Sequence, residues 1–177
     1  GHRVTILAGR TSFDVDDSRF EVIHSPDAAS MKCWAKDLIE NDDLGIDTVI
    51  SAAAISDHVM KESFSGKLSS DDVLDLQLVP FPKIIDGMVS WLGKKRGSNA
   101  GPVVGFKLLS GDDDEALVEA ARSQIERSGV SAVVANDLSW VQGDGRRALW
   151  VTKDEVSELA DVESIVVAID GLLLAQG

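Results

Sequence analysis

"GPVVGFKLLSGDDDEALVEAARSQIERSGVSAVVAND", residues 101–137, holds a strand, a helix and a second strand in sequence. The run 101–109 is apolar and continuous, bounded by Gly101-Pro102, which is the pattern of a buried strand. Residues 110–129 carry acids in the first turn, arginines near the end and Gly129 as a stop. That order follows the helix dipole and the usual stop signal. Residues 130–137, "VSAVVAND", form another apolar run. Two continuous apolar strands joined through a helix need parallel pairing, with helices covering both faces of the sheet.

The same alternation extends outward. "RVTILA" (3–8) and "FEVIH" (20–24) read as strands. Ser25 and Pro26 then predict an N-cap and first helical position, for a helix running to about Glu40. "DTVISAA" (47–53) is a third strand, followed by a polar loop from Ser56 to Asp72. "LDLQLV" (74–79) alternates like a half-exposed strand. Phe81-Pro82 is expected to start a helix through about Leu92. "GDGRRALWVTK" reads as a turn feeding a strand, and 161–175 as a final helix. The expected fold is a Rossmann-like α/β parallel sheet with helices on both faces, a single domain over residues 1–177.

Composition narrows the functional classes. The formal charge of −13 opposes nucleic acid and anionic membranes unless a local basic patch intervenes. Lys94-Lys95-Arg96 is the dense basic cluster, and it reads as a solvated helix end. The single cysteine, Cys33, excludes an intrachain disulfide and favours a reducing compartment. The apolar stretch "SIVVAIDGLLLA" is interrupted by Asp170 and Gly171, so no membrane span is expected. "GHRVTILAG" lacks the features of a signal peptide. The expectation is a cytoplasmic protein without nucleic-acid or membrane partners.

Several common sites are missing. There is no G-x-G-x-x-G fingerprint and no G-x-x-x-x-G-K-[ST] loop. Gly143-Asp144-Gly145 precedes a strand and reads as a hairpin turn. "DVDD" (14–17) lacks the glycine and closing glutamate of a calcium loop. His2, His24, His58 and Cys33 share no metal-ligand spacing.

Sheets of this kind bind ligands at the carboxyl ends of their strands. Four such ends stand out: Ala8 to Thr11, Ala54 to Asp57, Gly105 to Lys107, and Ala135 to Asp137. At each, small or polar residues replace bulk. Any strand end turns polar as it meets water, so one end alone carries little; the repeated change points to a site. Ten residues past Asp57, Lys67 sits among glycine and serines. A lysine on such a loop could fold over nucleotide phosphates, with Asp57 facing a ribose or a metal. A solvated surface lysine is the plainer alternative.

Four segments in order carry a resemblance: "TVISAAAISDHVMKESFSGKLSS" (48–70), "LDLQLVPFPKIIDG" (74–87), "VVGFKLLSGDD" (103–113) and "SAVVAND" (131–137). Together they resemble the phosphopantothenoylcysteine synthetase (phosphopantothenate–cysteine ligase) family, in its archaeal and eukaryotic form. This is the synthetase half of the coenzyme A biosynthesis flavoprotein. The resemblance implies a reaction. CTP or ATP, with Mg²⁺, activates the carboxylate of 4′-phosphopantothenate as an acyl-nucleotide, and cysteine then forms the amide. It implies Lys67 as the catalytic flap lysine. Ala53, Ala54, Asp57, Lys67, Phe81, Pro82, Lys83, Ile84 and Phe106 are implied in nucleotide binding, Asn136 in substrate binding and Asp57 at a metal. A homodimer and a decarboxylase domain as partner are implied as well.

The chain departs from bacterial members at Phe81-Pro82-Lys83, where they carry Asn-Pro-Asp, and at Gln124 and Ser128, where they place lysines. The family's first strand, Gly-Thr-rich turn and first helix find no match, so a domain incomplete at its front is expected. The competing expectation is a non-catalytic nucleotide-binding or assembly module with the same fold.

Overall fold

A computed structural model describes residues 2–11, 18–62, 66–67, 73–111, 113–142 and 147–175. The turn expected at 143–145, the rejected calcium stretch at 14–17 and most of the loop expected at 63–72 lie outside these residues.

The strands are β1 (Thr5–Ala8), β2 (Glu21–His24), β3 (Val49–Ser51), β4 (His58–Met60), β5 (Leu78–Pro80), β6 (Val103–Leu109), β7 (Ala132–Asp137), β8 (Ala148–Val151) and β9 (Val156–Leu159). The helices are α1 (Ala28–Glu40), α2 (Ile84–Arg96), α3 (Asp114–Ser128), α4 (Leu138–Gln142) and α5 (Val162–Ala175).

The central sheet runs β3-β6-β7-β8-β9. β3, β6 and β7 are parallel, as the 101–137 reading requires. The expected Rossmann-like sheet with helices on both faces is thus present, and β8 and β9 extend it on one side as antiparallel strands. The reason is length. Only residues 138–147 separate β7 from β8, and a parallel crossover needs a dozen residues or more. β8 then turns into β9 through Thr152, whose N–H donates to the Glu155 carbonyl at 2.9 Å. β1 and β2 form their own parallel pair, and β4 with β5 an antiparallel ribbon.

Helices cover both faces of the central sheet. On one, Met31, Ala35 and Ile39 of α1, Met88 and Leu92 of α2, and Leu117 and Ala121 of α3 pack with Val103, Val133 and Val151. On the other, Ile165, Ala168, Ile169 and Leu172 of α5 pack on Val104, Val134 and Trp150. The alternation along β6 sends Val103 and Val104 to opposite faces.

Element ends differ from the sequence expectation in physically legible ways. α1 is capped by Asp27, not Ser25: the Asp27 carboxylate accepts from the Ser30 N–H at 2.7 Å. Ser25 is used otherwise, its N–H donating to the Ala8 carbonyl and its hydroxyl to the Asp27 carbonyl. α2 begins at Ile84, after Phe81-Pro82, because Phe81 is still extended and donates its N–H to the Asp57 carbonyl at 2.8 Å. A residue before proline is disfavoured in helical geometry. α2 also runs on to Arg96, so the basic cluster is its last turn, where Lys95 pairs with Asp42. β3 ends at Ser51, short of residue 53. β4 lies within the stretch expected to be loop, and α4 and β9 were not expected.

Candidate functional site

Three parallel strands end side by side, and their ends build a cavity of about 460 Å³. That volume lies in the usual range for small-ligand sites. β3 contributes Ser51 and then the run Ala52 to Asp57, which belongs to no strand. β6 contributes Phe106, Lys107 and Leu108, and β7 contributes Asn136. Pro82, Lys83, Ile84 and Ile85 enter with the start of α2, and Gln124 and Arg127 from α3. The three alanines leave backbone exposed along one wall, where a bulkier run would have filled the space.

Charge at the rim is paired across elements. Asp57 forms an ion pair with Lys83, which ties the end of β3 to the entry of α2. The Lys83 ammonium, hydrogen-bonded to Asp57, holds that carboxyl below its ordinary value; partial desolvation opposes this, and Lys107 and His58 add smaller favourable fields. Arg127 reaches Asp86 at 3.3 Å and so joins α3 to the first turn of α2. Three cations, Lys83, Lys107 and Arg127, therefore gather at one cavity of a strongly acidic chain.

The residues singled out from sequence fall in three groups. Ala53, Ala54, Asp57, Pro82, Lys83, Ile84, Phe106 and Asn136 all line the cavity. Phe81 does not line it: its ring packs on the core, with Lys32 5.8 Å above its centroid. Lys67 is exposed and is not among the lining residues. Asp57 is a single carboxylate, and among the described residues no three His, Cys, Asp or Glu side chains gather to hold a metal. A Mg²⁺ ion there fits only as one carried by phosphates, which commonly uses one or two carboxylates.

Sequence reading missed Gln124 and Arg127 as lining residues. Their signal was hidden because helix α3 brings them in from the side of the sheet. The cue that could have found them is spacing: 124 and 127 share a face of that helix, one turn before its Gly129 stop.

Comparison with known proteins gives consistent relatives. A family model described as the C-terminal domain of DNA/pantothenate metabolism flavoproteins matches residues 1–168. The coenzyme A biosynthesis bifunctional protein CoaBC of Thermococcus kodakarensis is 38% identical over 113 residues, 64% of this chain and 27% of that protein. The protein of the same name from Methanocaldococcus jannaschii is 33% identical over 116 residues, with the same two coverages of 64% and 27%. The matches thus span about a quarter of the length of these curated relatives. Among solved structures, the DNA/pantothenate metabolism flavoprotein of Streptococcus pneumoniae superposes with a TM-score of 0.82 at 20% identity, covering 100% of this chain and 82% of that one. A mutant of Cab2 in complex with phosphopantothenate-cysteine gives 0.60 at 18% identity, covering 90% and 54%. These structural likenesses speak to the fold. Among the described residues no helix is long and apolar enough to cross a membrane.

Proposed function

The chain belongs to the family of the DNA/pantothenate metabolism flavoprotein C-terminal domain, and from that premise we propose that it is the ligase domain of coenzyme A biosynthesis. In this reading it binds a nucleoside triphosphate, CTP or ATP, at the strand-end cavity and activates the carboxylate of 4′-phosphopantothenate. A carboxylate oxygen attacks the α-phosphorus, pyrophosphate leaves, and the amine of cysteine displaces the nucleoside monophosphate to form the amide.

The observation that carries the reading is the cavity itself. A bare alanine wall lies beside Lys83, Lys107 and Arg127 in a chain of net charge −13. Cations focused in a cleft of an acidic protein attract a polyanion and stabilise charge that grows on its phosphates. Ala53 and Ala54 admit the nucleotide close to backbone, and Phe106 offers an aromatic face. Asn136 lines the cavity at the end of β7, and in this reading it hydrogen-bonds the acyl substrate. Mg²⁺ brought with the phosphates supplies charge neutralisation, with Asp57 as its protein contact. Lys67 acts from its loop, closing on the phosphates when nucleotide is bound.

A second reading is favoured by one observation: Lys67 stands outside the cavity lining. On that reading the chain binds nucleotide without the chemistry. The two separate in one assay. Pyrophosphate release is followed with CTP or ATP, Mg²⁺, 4′-phosphopantothenate and cysteine. The ligase reading expects release that needs the carboxylate substrate, and a fall of about a hundredfold or more in Lys67→Ala. Nucleotide binding with no release would leave only the binding module.

The ribbon β4–β5 supports a homodimer. Met60, Leu74, Leu76 and Leu78 are exposed, and Met60 sits opposite Leu78 in the ladder. A two-stranded ribbon with an open apolar face is marginal alone, and a second copy would cover it. A decarboxylase domain remains the proposed functional partner.

A further inference from the structure

The connection that follows Asn136 is held by a clamp that the proposed chemistry leaves unused. β7 ends at Asn136 and Asp137, and its ladder with β8 stops at Ala135, opposite Leu149. The same register carried two steps further sets Arg147 opposite Asp137. Asn136 is therefore paired on one side, with Leu108 of β6, and lies just beyond the ladder on the other. Its side-chain amide makes no hydrogen bond to another described residue. Its place on the cavity wall is then set by the backbone that carries it.

Arg147 closes the outer side of that backbone. Nη1 and Nη2 donate to the two carboxylate oxygens of Asp114, at 3.2 and 2.5 Å. The guanidinium lies 4.3 Å from the centroid of the Trp140 ring. Its Nε is buried, 2.8 Å from Glu158 Oε1 without a hydrogen bond to it. Asp114 opens α3, Trp140 belongs to α4 and Glu158 to β9. One planar cation thus joins three elements to the start of β8. A guanidinium suits this work, because it offers a rigid fork to a carboxylate and a flat face to a ring. Trp140 also packs on the core, so α4 is held between that core and Arg147.

α4 needs such support. It has five residues, too few to keep a helix in place by its own hydrogen bonds. Asp137 supplies an inner clamp, accepting from the N–H groups of Gly111 and Ser139 and so joining the turn after β6 to α4. Arg147 joins the same two pieces from outside, α3 through Asp114 and α4 through Trp140. Both clamps meet around Asn136, the residue of β7 that lines the cavity. Arg147 is not among the lining residues, so its effect on the site passes through α4 and the end of β7.

We propose that Arg147 is a positioning residue of the site: it fixes α4, and through α4 the orientation in which Asn136 meets the acyl substrate. This rests on the reading above in which Asn136 hydrogen-bonds that substrate, and it adds what holds Asn136 in place.

The test is a double-mutant cycle on the whole chain. Turnover with CTP or ATP, Mg²⁺, 4′-phosphopantothenate and cysteine is measured in wild type, Arg147→Met, Asn136→Ala and the double variant, with nucleotide affinity by calorimetry. Arg147→Met should lower kcat about tenfold or more, since small misplacements of a positioned group are costly. Nucleotide affinity should stay within about twofold, because Lys83, Lys107 and the alanine wall are distant from the change. In the Asn136→Ala background the same substitution should change kcat less than about twofold, because nothing is left to position. The cycle is repeated with Asp114→Asn, which keeps the shape and removes the charged pair, and the same non-additivity is expected even where Arg147→Met fails to fold. Losses that multiply in the double variants, or nucleotide affinity that falls with kcat, would assign Arg147 to general structure. Unchanged kcat would make it a bystander; either result overturns the proposal. If Asn136→Ala alone leaves kcat unchanged, the role of Asn136 falls and the proposal with it. If wild type releases no pyrophosphate, the ligase reading falls first and takes the proposal with it.

Discussion

At the scale of single residues, the pair Asp57–Lys83 and the buried Asp137 do different work. Asp57 is exposed enough that its pair contributes modestly, but the sign of its pH dependence is fixed. Its folded-state pKa is depressed, chiefly by the hydrogen bond from Lys83. The contribution is therefore fully present above the unfolded value of about 3.9 and is lost as pH falls through the lower folded value. Thermal melts of wild type and Lys83→Met should differ at neutral pH, keep that difference down to about pH 4, and converge only as pH falls through the lower folded value. Asp137, 2% exposed, accepts from the Gly111 N–H at 2.7 Å and the Ser139 N–H at 2.8 Å. It ties the turn after β6 to the start of α4, beside the cavity. Asp137→Ala should lower stability by about 2–3 kcal/mol in urea titration, because the Gly111 and Ser139 N–H groups lose a buried, charged acceptor. The alanine seat and Asp57 were legible in the sequence because loss of bulk at a strand end is a local signal. Arg127 was not, since helix α3 brings it to the cavity from the side of the sheet.

At the scale of elements, α3 is the piece whose logic the sequence states most fully. Its first-turn acids, the Asp113 cap on the Ala116 N–H and the left-handed Gly129 stop all follow local rules. Gly129→Ala should cost about 1 kcal/mol from its φ of +75° alone, because a methyl there meets only ordinary contact with Val89. Leu117, on the buried face of the same helix, should cost about 2–5 kcal/mol as Leu117→Ala by chemical denaturation. The elements that escaped the sequence are short or exposed. β4 has three residues in a polar stretch, and three of the four residues of β9 are exposed, so neither shows a period long enough to read. The antiparallel turn of the sheet at β8 was hidden for the same reason: it depends on the length of a connection, and not on the strand's own apolar run.

At the scale of the whole molecule, charge and apolar surface are both unevenly placed. The acidic excess covers the chain while cations meet at the cavity, and the ribbon β4–β5 presents Leu78 at 60% exposure. If that face joins two copies, Leu78→Glu should convert a dimer to monomers in sedimentation, with the helical signal unchanged. A wild type that sediments as a monomer at every concentration would remove the dimer from the account. The central claim is the activation of a carboxylate through an acyl-nucleotide, and isotope transfer tests it most directly. 4′-Phosphopantothenate carrying heavy oxygen in its carboxylate is turned over with cysteine, Mg²⁺ and the preferred nucleotide, and the products are weighed by mass spectrometry. The account predicts one heavy oxygen in the nucleoside monophosphate and none in pyrophosphate. Heavy oxygen in inorganic phosphate, or turnover with no transfer to the nucleotide, would contradict it.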